Sequence, residues 1–166
     1  MMVTIERSSH PTIGIDWEFQ VALHKSNWVI ERYIVREHGV VVWGPSPRTL
    51  IDPISPRELR EAVCEQLSDF WYAQLAEPGW LRPRHYQAFA VLTLCWALYT
   101  LSQGTVTSKP EAAACAYQAL YPQWQPVIER SLIWRHQHEI DDLTATLDFL
   151  RYAIQRGIET CGPAVS

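Results

Sequence analysis

The chain has 166 residues, 48% of them hydrophobic, and a formal net charge of −4 at neutral pH. That length fits one domain, or one domain plus part of another, and the apolar content excludes an intrinsically disordered chain. No Lys/Arg run occurs, which argues against the broad basic face of a nucleic-acid binder but leaves room for a local pocket holding one small anion.

In chain order, residues 3–5 read as a short strand and residues 8–14, with Pro11 and Gly14, as a loop. A helix is expected from about Asp16. Trp28, Val29, Tyr33 and Ile34 recur in it at helical spacing, and Gly39 fits a C′ position with positive φ. The run Val40, Val41, Val42, Trp43 reads as a strand, broken by Gly44, Pro45 and Pro47. Ser55, Pro56 and Glu58 make a helix start with a capping box, and that helix should run to about Leu75, where Glu77, Pro78 and Gly79 stop it. A second helix is expected at about 83–102, ending at Gly104. Ser108, Pro110 and Glu111 form a second capping box, opening an Ala-rich helix to about Leu120. Two more helices are expected at about 127–136 and 139–158, the last with Leu143, Leu147, Leu150 and Ile154 on one stripe.

The fold expected is therefore mainly α. Residues 1–47 read as a small α/β remnant, too small to be a sheet domain. Residues 48–166 read as a five-helix bundle able to close its own core. Residues 91–101 are apolar on nearly all faces but too short to span a membrane, so they read as a central buried helix. The N-terminus lacks the apolar core of a signal peptide. No membrane partner and no nucleic acid are expected, and the location expected is cytoplasmic. Cys64, Cys95, Cys115 and Cys161 form no C-x-x-C pair. The first three fall in helical patterns, where a free thiol acts as a small hydrophobe. Eight Trp and seven Tyr supply either a core of large rings or a cleft lined with them.

Few residues carry chemistry. Asp141 and Asp142 are adjacent on the expected helix, so they diverge by about 100° and read as a solvated N-terminus. His136 and His138, two apart, would fall on different helix faces, the wrong geometry for a shared metal. Cys95 has no base near it in sequence and reads as core. No catalytic residue and no metal site is assigned. Lys109 stands between Ser108 and Pro110 at a helix N-terminus, where a cation opposes the macrodipole. It is either simply solvated or helps the first-turn N–H groups hold an anion. The segment 71–85 carries Trp71, Tyr72, Trp80, Arg82, Arg84 and His85, which either line a polar-ligand cleft or pack an ordinary loop.

Certain segments carry a family resemblance. Arg36-Glu37-His38-Gly39-Val40-Val41-Val42-Trp43-Gly44-Pro45, then Leu50-Ile51-Asp52-Pro53-Ile54, resemble the domain junction of aminoglycoside adenylyltransferases of the streptomycin/spectinomycin type. The likeness continues through Val91-Leu92-Thr93-Leu94-Cys95 with Tyr99, Gly104 to Lys109 with Ala112-Ala113, and Gln125-Pro126-Val127-Ile128, covering roughly residues 26–155. The order and spacing of these segments are more specific than any one of them. The resemblance implies a polymerase-β-type nucleotidyltransferase domain followed by a helical domain that holds the aminoglycoside, with in-line transfer of AMP to a hydroxyl. That chemistry needs a Gly-Ser motif and an Asp-x-Asp pair to hold Mg²⁺ against phosphate charge, and neither motif occurs in these 166 residues. The first residues are expected to fall at or just after the strand carrying the base.

By the resemblance Lys109 matches a nucleotide-phosphate contact. Trp71 matches an aromatic lining the drug site, and His85 and Tyr86 fall beside it, Tyr86 near the place of an acidic drug contact. Trp96 stands where the family has an Arg, and loses its charge and donors. The expected function is an aminoglycoside nucleotidyltransferase-like helical domain binding nucleotide and a small polyhydroxylated ligand, inactive alone. ATP and Mg²⁺ enter only if a catalytic domain is supplied. The alternative is a non-catalytic binding module that pairs with a separate nucleotidyltransferase chain or homodimerises.

Overall fold

A computed structural model of the chain describes residues 9–13, 19–23 and 26–162, with side chains placed from residue 28. Ser9–Ile13 (β1) and Phe19–Leu23 (β2) pair antiparallel, His10 opposite Ala22 and Thr12 opposite Gln20. This ribbon replaces both the loop expected at 8–14 and the helix expected from about Asp16. The sequence Phe-Gln-Val-Ala-Leu alternates with period two, and Pro11 is tolerated because each strand of a two-stranded ribbon has a free edge. The strand expected at residues 3–5 lies outside the described residues.

The first helix, α1, spans Ser26–His38. The Gly39 N–H donates to the Val35 carbonyl at 3.0 Å, but Gly39 is not among the glycines with positive φ. Glycine is needed there for another reason: a Cβ would stand 2.3 Å from the Val35 carbonyl oxygen. The strand expected over residues 40–43 is absent. Val40, Val42 and Trp43 are 88%, 95% and 95% exposed, and among the described residues no sheet edge pairs with them. Strand propensity is largely a matter of packing on a pleated neighbour, and among the described residues this run has none. A short helix, α2 (Pro47–Leu50), follows the Ser46 cap.

The helical part matches its expected order closely. Helix α3 (Pro56–Gln66) opens on the Ser55/Glu58 capping box. It continues as a π-helical segment, Leu67–Trp71, and a last turn, α4 (Tyr72–Gln74). A 3-10 turn at Pro78–Leu81 leads to α5 (Arg84–Gln103). Helix α6 (Lys109–Ala119) opens on the Ser108/Glu111 box. Helices α7 (Gln125–Trp134) and α8 (Thr144–Cys161) complete the bundle. Helix α5 is the axis: Ala88, Ala90, Val91, Leu92, Leu94, Cys95 and Ala97 are all buried, on every side of it. It packs against α3, α6, α7 and α8, as a helix apolar all round should. Ile30 of α1 joins the same core.

Helix α8 starts at Thr144, not near Glu139, because the chain before it has another task. The carbonyls of Glu139 and Gln137 accept the Arg84 and His85 N–H groups at 2.8 Å each, satisfying donors at the α5 N-terminus that have no intrahelical partner. Asp142, two residues before α8 begins, accepts from the Thr144 N–H through its carboxylate at 3.0 Å. One cysteine expectation is corrected. Cys64 is not a free core thiol but is disulfide-bonded to Cys161, 97 residues away, because α8 returns to lie along α3. Cys95 is buried and free and Cys115 exposed and free. Among the described residues no helix is long and apolar enough to cross a membrane.

Candidate functional site

Helix α5 shows one uncovered face. His85, Tyr86, Phe89 and Thr93 fall within about 100° of arc at 3.6 residues per turn. Tyr86 and Phe89 are 43% and 44% exposed on a helix otherwise almost wholly buried. Lys109, the first residue of α6, reaches across to this face. Its Nζ donates to Thr93 Oγ1 at 2.8 Å and lies 4.2 Å from the centre of the Phe89 ring, a cation–π contact. The capping box explains why the lysine is there: Ser108 and Glu111 fix the first turn of α6, and Pro110 fits the start of a helix. Burial pushes the Lys109 amine below the ordinary lysine range. No carboxylate pairs with it among the described residues. A half-buried cation held by a ring face and a hydroxyl is suited to an incoming anion.

About 12 Å along α5, eight residues at 1.5 Å each, stand His85 and Tyr86, their rings 4.1 Å apart. Tyr86 also meets Trp80 edge-on at 5.4 Å, and Trp80 donates to Gln74 Oε1 at 2.6 Å. His85 Nδ1 lies 3.1 Å from the Gln137 carbonyl oxygen, and its ring centre 4.4 Å from that of His138. Arg84 is drawn away from the face by Asp141, Nε to Oδ2 at 2.8 Å. The Asp142 N–H and then the Arg84 guanidinium hold the Asp141 carboxyl below the usual carboxylate range.

The candidates from sequence are therefore distributed as follows. Lys109 anchors one end of the face, and His85 and Tyr86 the other. Trp71 lies behind the face, 1% exposed, packed on Phe89 at 6.1 Å, and its buried indole N–H has no hydrogen-bond partner among the described residues. Trp96 is buried. Phe89 and Thr93 were not singled out in the sequence, yet they hold the lysine; their signal was the i, i+4, i+8 spacing from His85. His136 and His138 do not pair with each other; His138 meets His85 from another element. A cleft of about 540 Å³ between α5, α6 and α8 is lined by residues such as Leu98, Tyr99, Cys115 and Arg156 and holds none of these candidates. The α5 face is open, as one wall of a cleft would be. It can fix an anion at Lys109 and stack a ring on Phe89 or Tyr86.

Comparison with known proteins places these elements. A family model described as "Aminoglycoside adenylyltransferase, C-terminal domain" matches residues 49–156. An aminoglycoside (3'') (9) adenylyltransferase of Klebsiella pneumoniae is 36% identical over 93 residues, 56% of this chain and 33% of that protein. One from Rhizobium radiobacter is 33% identical over 121 residues, 72% of this chain and 42% of that protein. The chain thus matches about a third to two fifths of the length of these curated relatives. A solved structure of a spectinomycin adenyltransferase from Enterococcus faecialis, with ATP and spectinomycin, superposes with a TM-score of 0.65 at 15% identity, over 83% of this chain and 52% of that one. That likeness shows the helical fold.

Proposed function

The chain belongs to the family of aminoglycoside adenylyltransferase C-terminal domains, and from that premise we propose that its α5 face is the helical wall of a nucleotide and aminoglycoside-type site. One observation carries the reading. Lys109, within the matched region, is a half-buried cation that pairs with no carboxylate among the described residues, held over Phe89 and Thr93 on an exposed aromatic face. A nucleotide phosphate would replace the ring and hydroxyl as its partner. A polyhydroxylated ligand would sit toward His85 and Tyr86, hydrogen-bonded to the phenol and stacked on the ring, with Trp71 supporting Phe89 from behind. Tyr86 offers no negative charge, so attraction of a polycationic drug must come from elsewhere in the assembled site.

The same reading makes this chain inactive alone. Transfer of AMP needs carboxylates that hold Mg²⁺ on the phosphates. The 166 residues contain no Asp-x-Asp, and no group of three metal-binding side chains occurs among the described residues. Calorimetric titration with ATP·Mg²⁺, with and without spectinomycin or streptomycin, tests the proposal. Saturable binding, weakened about tenfold or more (roughly 1.4 kcal/mol) in Lys109→Ala, is the expected result. No binding under any combination would sink the nucleotide reading for this chain.

A second reading has its own observation. Val40, Val42 and Trp43 form an apolar run left almost fully exposed, and contiguous exposed apolar patches are where proteins associate. On this reading the chain is a non-catalytic module that pairs with a separate nucleotidyltransferase chain or with itself. Light scattering of the wild type beside Trp43→Ser separates self-association from a monomer awaiting a partner.

A further inference from the structure

We propose that His85 and His138 form a two-histidine site for a divalent transition-metal ion of the copper or nickel class. The pair comes from two elements far apart in sequence, the start of α5 and the segment between α7 and α8, and the ring centres stand 4.4 Å apart with the planes tilted by 56°. His85 Nδ1 faces the Gln137 carbonyl oxygen at 3.1 Å. A carbonyl only accepts, so Nδ1 carries the hydrogen. In the neutral ring Nε2 is then left with its lone pair, as metal-bound histidines usually are when a carbonyl orients the other nitrogen. The His85 N–H is held by the same carbonyl at 2.8 Å, so backbone and ring are both anchored to residue 137, one position before His138.

A metal about 2.0–2.1 Å from each ring nitrogen lies about 3.2 Å from each ring centre, so two rings on one ion stand about 4.5–5.2 Å apart, and rings whose centres are 4.4 Å apart are near enough to share one. Imidazole ligands suit Cu²⁺ and Ni²⁺, and the affinity order of the divalent first-row metals rises through Ni²⁺ to Cu²⁺. No third His, Cys, Asp or Glu completes a group among the described residues, so water fills the other positions and the site stays open to a further ligand. His138 is exposed and gives the ion access. Arg84, next to His85 in the chain, is engaged by Asp141 at 2.8 Å, which reduces its repulsion of a cation. The proposal does not depend on the nucleotide reading.

The test is titration of the intact, oxidised chain with Ni²⁺ by calorimetry, beside His138→Ala, His85→Ala and, as control, His136→Ala. Loss of at least tenfold in affinity in His138→Ala, with His136→Ala within about twofold of wild type, is expected. With Cu²⁺, electron paramagnetic resonance should show coupling to two imidazole nitrogens in the wild type and to one in His138→Ala. An unchanged affinity in His138→Ala, equal loss in His136→Ala, or the same nitrogen count in both spectra would overturn the site. Because His138 is exposed, its removal leaves the fold intact even if His85→Ala, which also loses the bond to Gln137, does not fold; unchanged far-ultraviolet dichroism of His138→Ala checks this.

Discussion

Glu111 holds the turn that presents Lys109. Its carboxylate accepts from the Ser108 N–H at 3.2 Å and the Ser108 hydroxyl at 3.0 Å, and also from the Thr107 hydroxyl. These donors, Thr107 first and Ser108 next, lower the Glu111 pKa below the ordinary glutamate range. A carboxylate whose pKa falls on folding stabilises the fold above its unfolded value, about 4.3. That contribution disappears as pH falls through the lower folded value. Glu111→Gln keeps a side chain that can close the capping box but removes the titration. Its urea midpoint should lie below wild type at pH 6, and the gap should narrow by pH 3. A gap of equal size at both pH values would mean that the charge is not what the box uses. At this scale the sequence was partly legible. Lys109 stood out because a cation at a helix start opposes the dipole. Phe89 and Thr93 did not, since a Phe and a Thr in an apolar helix look like filler until the lysine is seen to rest on them. Trp71 is buried behind Phe89, and periodicity could not show that Phe89 lies in front of it.

Helix boundaries were legible where local chemistry dictates them. Both capping boxes form as their spacing requires, because cap and partner are three residues apart and need no tertiary help. The end of α5 was equally plain. Gly104 takes φ of 69° and returns its N–H to the Thr100 carbonyl at 2.8 Å, a left-handed stop that glycine makes at little cost. The errors lie where tertiary partners decide. The run of residues 40–43 finds no sheet to join among the described residues, the start of α8 yields to capping of α5, and the ribbon β1–β2 depends on pairing between its two strands. Gly104 also permits an approach: a Cβ there would lie 2.9 Å from Pro56 Cβ and 2.7 Å from the Arg60 guanidinium, which donates to the Leu101 carbonyl at 2.9 Å. Gly104→Ala is thus expected to destabilise by about 2 kcal/mol, from the left-handed backbone and the displaced α3 contact. Gly79→Ala, with nothing within 4 Å, should stay within about 0.5 kcal/mol. Equal urea midpoints for the two variants would refute a special role for the α5–α3 corner.

Across the whole molecule, the last helix is tied to the wall of the candidate site. Cys161 ends α8 and bonds to Cys64 of α3. One turn earlier Gly157 lies so close to the π-helical segment that a Cβ would stand 2.3 Å from Leu67 Cδ1. That segment ends in Trp71, which backs Phe89, which carries the Lys109 amine. The cross-link therefore braces a continuous path from the end of the chain to the anion end of the face. No spacing rule could have shown it, because the two cysteines are 97 residues apart and meet only through the return of α8. Closing so long a loop removes much of the unfolded chain's freedom, and native disulfides of this kind contribute about 2–4 kcal/mol. For a domain of this size that corresponds to a fall in Tm of about 5–15 °C on reduction or in Cys64→Ser/Cys161→Ser. Thiol counting gives an independent check on the same preparation. The unreduced native chain should show one fast-reacting thiol, Cys115, since Cys95 is buried and its pKa is pushed up to about 12. Denaturation without reductant should raise the count to two, and denaturation with reductant to four. Three fast thiols before reduction, with a Tm indifferent to reductant, would mean the brace does not form in solution. The packing at Gly157 alone would then have to hold α8 against the wall.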